Sequence, residues 1–185
     1  MLLSGCSDDG DNGAAGAAGP QGPQGEHGGP GTAAPADVPE QLRATPDNAS
    51  IAADGTVTVE LSLEDGIGRG FTGLGFYRDN NSRLLRFSLV KLQPEGATGQ
   101  GNASEWQSYI ESGNGQTTTE TSGTLTDNDD GSYTYVFSTN TSSAATSFEE
   151  DLTHRIAMQL SGSDFPTVNA SYDWVPAGGA VVDTR

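Results

Sequence analysis

Thiols are nearly absent from this 185-residue chain: Cys6 is the single cysteine. An intrachain disulfide is therefore impossible, and the folded part must be held by an apolar core alone. Basic residues are scarce as well. Eight Lys and Arg face 25 Asp and Glu, for a formal net charge of -17. That balance argues against nucleic acid as a partner, because phosphate binding needs clustered Lys and Arg. It suits a self-repelling, exported surface. No run approaches the roughly 18 apolar residues of a membrane-spanning helix, so membrane contact is expected only through an attached lipid. Histidine is limited to His27 and His154, which leaves no pair of neighbouring imidazoles for a metal site and no serine–histidine constellation for a hydrolase.

What is present starts at that cysteine. Leu3-Ser4-Gly5-Cys6 joins a branched apolar residue, two small residues and a thiol, the box at which prolipoproteins are cut and lipidated. The small side chains admit an extended backbone to the peptidase, and the thiol takes a thioether-linked diacylglycerol, so Cys6 is the expected lipidation site. Two or three acyl chains, at about 0.8 kcal/mol per buried methylene, anchor a protein stably. Met1-Leu2-Leu3 falls short of the apolar stretch of about 7–15 residues in a secretory signal. Residues 1–6 thus read as the remnant of such a signal, in a chain whose start is called late or that is a fragment. Ser7 lacks the aspartate that favours inner-membrane retention, which points the anchor to the outer membrane.

Residues 7–39 carry five acids and no base, with glycine at every third position from Gly10 to Gly31 and Gly-Pro-Gln twice. The period is collagen-like. Eight triplets are few for a triple helix, so the segment is expected to be a disordered, extended tether with polyproline II character; a trimerising stem is the alternative.

A β domain is expected over 40–185. Residues 56–63 alternate, with Val57, Val59, Leu61 and Leu63 on one face, the pattern of a half-buried strand. Residues 83–92 are apolar on both faces and read as a central strand. Further strands are expected at 105–110, 116–125 (an edge), 132–138, 154–160, 170–175 and 180–183. Turns are expected at Asp54-Gly55, Asn114-Gly115 and Asp130-Gly131, and one helical turn near 144–151. The expected fold is all-β, an antiparallel Greek-key sandwich or split barrel of seven or eight strands.

Motifs that carry chemistry are few. Gly68-Arg69-Gly70-Phe71-Thr72-Gly73 fits the dinucleotide fingerprint by letter, but that fingerprint needs a following helix. Gly75 and Asp79-Asn80-Asn81 come next, so a loop is expected. Asp127-Asn128-Asp129-Asp130-Gly131 resembles a calcium loop without the glutamate at its twelfth position. A hairpin turn is the favoured reading, which leaves Asp127 and Asp129 as weak calcium candidates. His27 lies in the tether, and His154 is expected as a hydrogen-bonded histidine at the core margin. Arg78, Arg83, Arg86 and Lys91 gather half the basic charge into fourteen residues, a solvated strand edge and a candidate docking patch for an anionic partner.

The strands taken in order resemble a known family. The carriers are Arg86-Phe87-Ser88-Leu89-Val90-Lys91 within 84–94, then Glu105-Trp106-Gln107-Ser108-Tyr109-Ile110. Gly131-Ser132-Tyr133-Thr134-Tyr135-Val136-Phe137 and His154-Arg155-Ile156-Ala157-Met158-Gln159-Leu160 come after them. Together they are similar to the N-terminal β domain of the OmcA/MtrC family of outer-surface decahaem c-type cytochromes, as are the lipid box and the glycine-triplet tether. The resemblance implies a lipid-anchored protein of the outer membrane, facing the exterior. It further implies extracellular electron transfer to metal oxides or flavins, fed by a porin–cytochrome conduit. This chain has no Cys-x-x-Cys-His, so no haem ligand carries over; haem c is expected only in a longer version. The expected role is that of a non-catalytic scaffold or docking domain. The rival reading is an autonomous surface lipoprotein with an immunoglobulin-like adhesive or glycan-binding domain, its sugars stacking on Trp106, Tyr109, Tyr133 and Trp174.

Overall fold

The computed structural model describes residues 37–96 and 104–182. Cys6, His27 and the glycine triplets lie outside the described residues. Eight strands occur among the described residues: β1 (Leu42–Ile51), β2 (Val57–Asp65), β3 (Leu85–Gln93), β4 (Glu105–Ser108), β5 (Thr124–Asp127), β6 (Ser132–Val136), β7 (His154–Gly162) and β8 (Phe165–Trp174). One helix, α1 (Leu74–Asn80), links β2 to β3. The first sheet has the order β1-β2-β6-β5 and the second β4-β3-β7-β8, every pairing antiparallel. The chain crosses between sheets after β2, β4 and β6. That is the Greek-key order of immunoglobulin-like sandwiches, four strands per sheet. The sheets do not close into a barrel.

Period-two alternation builds the core. Val57, Val59, Leu61 and Leu63 are fully buried from β2, facing Leu85, Phe87 and Leu89 of β3 and Ile156, Met158 and Leu160 of β7. Tyr133 and Tyr135 add aromatic bulk from β6, and the Phe87 ring lies 4.6 Å from that of Tyr135. Each such large side chain contributes about 1.5–3 kcal/mol through burial.

The count of eight strands is met by a different set than expected. β1 lies where no strand is legible, because Pro46 and Asp47-Asn48 interrupt its pattern. Its register shifts between Pro46 and Asn48, a bulge on an edge strand, where a residue without an N–H is tolerated. Residues 180–182, by contrast, form no strand. The edge strand expected at 116–125 is reduced to β5, preceded by isolated bridges at Thr117 and Glu120. α1 occupies a segment expected as loop. The helical turn expected near 144–151 is reduced to one hydrogen-bonded turn, Leu152 N–H to the Glu149 carbonyl (3.2 Å); a 3-10 turn at Thr141–Ser143 precedes it, started by Asn140 Oδ1 accepting from the Ser142 N–H.

The first and last strands, β1 and β8, run in the same direction. Leu42 begins β1 beside Asp65, the end of β2. Phe71, just past the end of β2, meets the ring of Phe165 at the start of β8. Trp174, the end of β8, pairs with His154 at the opposite end of the sandwich. The chain therefore enters at one end and leaves at the other, separated by about 30 Å, the length of a ten-residue strand.

Candidate functional site

Alternation along β3 separates two of the four clustered cations. Arg86 points outward from the second sheet, whereas Lys91, an odd number of residues away, points inward. Lys91 is 2% exposed; its Nζ donates to the Ser147 carbonyl (2.6 Å) and to Glu149 Oε2 (2.5 Å). That pairing holds the Glu149 carboxyl below its ordinary range. Arg78 reaches from α1 to the carbonyls of Thr121 (3.0 Å) and Gly123, with its guanidinium over the Tyr135 ring. Arg83 is exposed. The four do not form one surface, because a strand's period of two and a helix's turn send near neighbours in sequence to different faces.

Beside Lys91 lies His154, with no exposed surface. Its Nδ1–H donates to the Leu152 carbonyl (2.8 Å), which only accepts, so Nε2 accepts from the Tyr109 hydroxyl (2.8 Å). Burial, then the charge of Lys91, pushes its pKa down, and burial pushes that of Tyr109 up. The ring packs among Tyr109, Phe148 and Trp174. A histidine with both nitrogens engaged is a structural centre and offers no lone pair to a metal.

Asp127 ends β5, and Asp129 lies in the turn that follows it. Asp127 Oδ2 accepts from the Gly73 N–H (2.6 Å) and Oδ1 from the Asp129 N–H (2.9 Å). Asp129 adopts φ 64°. No group of three or more His, Cys, Asp or Glu converges for a metal ion among the described residues. The same contacts decide the glycine fingerprint. A helix does come after Gly73, but its first amides are taken by Asp127 and by the Tyr133 hydroxyl (3.4 Å to Leu74 N). β2 and β3 also lie in different sheets, so there is no βαβ unit to hold a pyrophosphate. Gly70 is there because a Cβ on it would stand 2.3 Å from the Asp130 carbonyl oxygen.

Of the four aromatics considered for sugar stacking, Tyr109, Tyr133 and Trp174 are buried. Trp106 alone is partly open, on the outward face of the second sheet, with the Arg155 guanidinium 4.4 Å from its ring centre. Arg155 also grips Asp173 with two hydrogen bonds of 2.6 Å. A second polar row crosses the same face: Arg86 donates to Gln159 Oε1 and to Ser161 Oγ (2.7 Å), and Gln159 Nε2 donates to Asn169 Oδ1 (2.9 Å). Between the two rows the outward side chains are short, and the depression has a volume of about 540 Å³. Sequence reasoning singled out Arg86 and Trp106 on this face and missed Arg155 and Asp173, whose pairing depends on the β7–β8 register.

A c-type haem does not fit these residues. Its attachment takes two thiols and a neighbouring histidine, whereas the chain has one cysteine, Cys6, and both nitrogens of His154 are engaged.

Residues 52–179 match the family described as Decaheme cytochrome c component MtrC/MtrF N-terminal domain. The multiheme cytochrome MtrC of Shewanella baltica (strain OS185) is 33% identical over 103 residues, which cover 52% of this chain and 16% of that protein. The crystal structure of MtrC from Shewanella baltica OS185 superposes with a TM-score of 0.60 at 26% identity, over 78% of this chain and 23% of that one. The crystal structure of the outer membrane decaheme cytochrome OmcA gives 0.56 at 26% identity, over 78% and 24%. The chain thus spans less than a quarter of the length of these relatives.

Proposed function

Since the chain belongs to the family of MtrC/MtrF N-terminal domains of decahaem cytochrome c components, we propose that it is a haem-free, non-catalytic scaffold domain of an outer-membrane multihaem cytochrome. In this reading Cys6 carries the lipid, residues 7–39 are the tether, and 40–185 form the β domain on the exterior face. Haem-bearing parts of such a protein pass electrons from a porin–cytochrome conduit to metal oxides or flavins. The β domain holds them away from the membrane. The observation that carries the proposal is the family match over 52–179 in a chain whose single thiol stands outside that region.

Entry and exit at opposite ends suit a spacer: the segments before β1 and after β8 are held about 30 Å apart by a stiff sandwich. The autonomous adhesive reading is weakened by the burial of three of its four aromatics. Mass spectrometry of the chain, expressed behind a complete lipoprotein signal peptide in a strain that matures cytochromes c, tests both halves of the proposal. The expected product carries thioether lipid at Cys6 and no haem, and it gives no redox wave in voltammetry. Covalent haem or a reversible wave would sink the scaffold reading, and an unmodified Cys6 would sink the anchor.

A further inference from the structure

The outward face of the second sheet is shaped as a trough whose walls and floor are set by register. Arg86 pairs with Gln159 and Gln159 with Asn169, so these three side chains form one row across β3, β7 and β8. Four residues along β7, Arg155 and Asp173 form the second row, which Trp106 extends at the β4 edge. Midway between them Ser88, Ala157 and Ser171 stand in register, and Thr119 lines the same depression. The walls are about 13 Å apart, four residues of strand, and the trough crosses strands spaced about 4.8 Å. It runs perpendicular to the strands, from β3 to the sheet edge at β8.

Both walls consist of planar hydrogen-bonding groups already held in place: guanidinium, amide and carboxylate. The floor is hydroxyl and methyl. Such a lining matches a hydroxyl-rich ligand, since planar groups meet neighbouring hydroxyls two at a time. It does not match a peptide, because it holds no deep apolar pocket for an anchor, and a strand added at the free edge of β8 would lie beside the trough and not in it. Charge narrows the class further. Asp173 is the single acid among the outward positions of the four strands and is bound by Arg155, whereas the hydrogen-bond partners of the Arg86 side chain are the neutral Gln159 and Ser161. The trough is therefore locally cationic on a chain of net charge -17. The acids elsewhere are screened beyond about 8 Å at physiological salt.

We propose that this trough binds an acidic polysaccharide, a polymer of carboxylated sugars, with a carboxylate on Arg86 and hydroxyls against the floor. The site requires neither haem nor the family assignment, so its test is independent of the scaffold reading.

The test uses the 185-residue chain with alginate as the probe, and neutral dextran and poly-L-glutamate as comparisons, read by calorimetry. Two variants probe the site: Arg86→Ala removes the charge, and Ala157→Trp fills the trough from the outward face without touching the core. Urea midpoints confirm that both fold. Saturable alginate binding is expected, weakened about tenfold or more in each variant, the loss expected on removing one charge-assisted contact. Dextran and polyglutamate should bind more weakly than alginate by a similar factor. The proposal is overturned if alginate does not bind, or if folded variants bind it as well as the parent. Polyglutamate binding as tightly as alginate also overturns it, since the face would then read charge alone.

Discussion

His154 is fully buried and holds one tautomer by two hydrogen bonds, so the folded chain resists its protonation. Its pKa lies below the ordinary 6.5, pushed there by burial and by Lys91 and opposed by the Leu152 carbonyl and Glu149. The unfolded chain therefore takes up a proton near pH 6.5 that the folded chain refuses. Stability falls as pH drops from 6.5 toward the folded value. Glu120 acts in a lower window: burial raises its pKa, but hydrogen bonds from Thr139, Ser138 and Ser122 outweigh it, so its contribution is lost only below about 4.5. Urea midpoints at about pH 7.5 and 5.5 should differ in the parent, and the difference should shrink in His154→Gln. An unchanged difference in the variant would place the titration elsewhere. Gly131 is a second test at this scale. It has φ 92°, and a Cβ there would lie 2.4 Å from the Gly70 Cα. Gly131→Ala is expected to cost more than about 1 kcal/mol, whereas Gly113→Ala, which meets open space, should be near neutral. The inward alternation of Tyr133, Tyr135 and Phe137 was legible from sequence. The depth of His154 was not, because its Tyr109 partner lies 45 residues away.

Among the elements, α1 depends on a contact no local pattern reveals. Its N-cap, Gly73, is held by a carboxylate 54 residues distant. Asp127→Ala should speed hydrogen exchange at the Gly73 and Leu74 amides while leaving Phe87 and Ile156, in the central strands, unchanged. Equal protection in the variant would mean that packing of Tyr77 on Phe165, not the cap, fixes the helix. Because the same carboxylate is engaged by backbone N–H groups, calorimetry with millimolar calcium is expected to give no heat; a saturable signal lost in Asp127→Ala would revive the calcium site. The β7–β8 hairpin shows how register hides a site. Counting outward from the Gly162–Phe165 pair assigns Tyr172 to Arg155, but the irregularity between Leu160 and Gly162 shifts the partner to Asp173. One displaced residue turns a side chain to the other face, so the Arg155–Asp173 wall was out of reach of alternation alone. β2, β3, β6 and β7 were readable because they are central and two-sided or cleanly alternating; β1 was not, because an edge strand tolerates the proline and bulge that erase its pattern.

In the proposed reading, a Greek-key sandwich without haem-attachment residues acts as a spacer within a multihaem cytochrome. Its parallel first and last strands place chain entry and exit at opposite ends, and its net charge of -17 makes copies repel one another. The decisive test is an exchange in the MtrC of Shewanella baltica, in which residues 42–179 of this chain, all eight strands, replace the corresponding domain. A deletion of that segment is assayed in parallel for surface display, haem absorbance and current to an electrode. The exchanged protein is predicted to keep its haem absorbance, surface display and current, while the deletion loses display or current. A deletion that performs as well as the parent, or an exchanged protein that is displayed and haem-loaded yet passes no current, would contradict the spacer account.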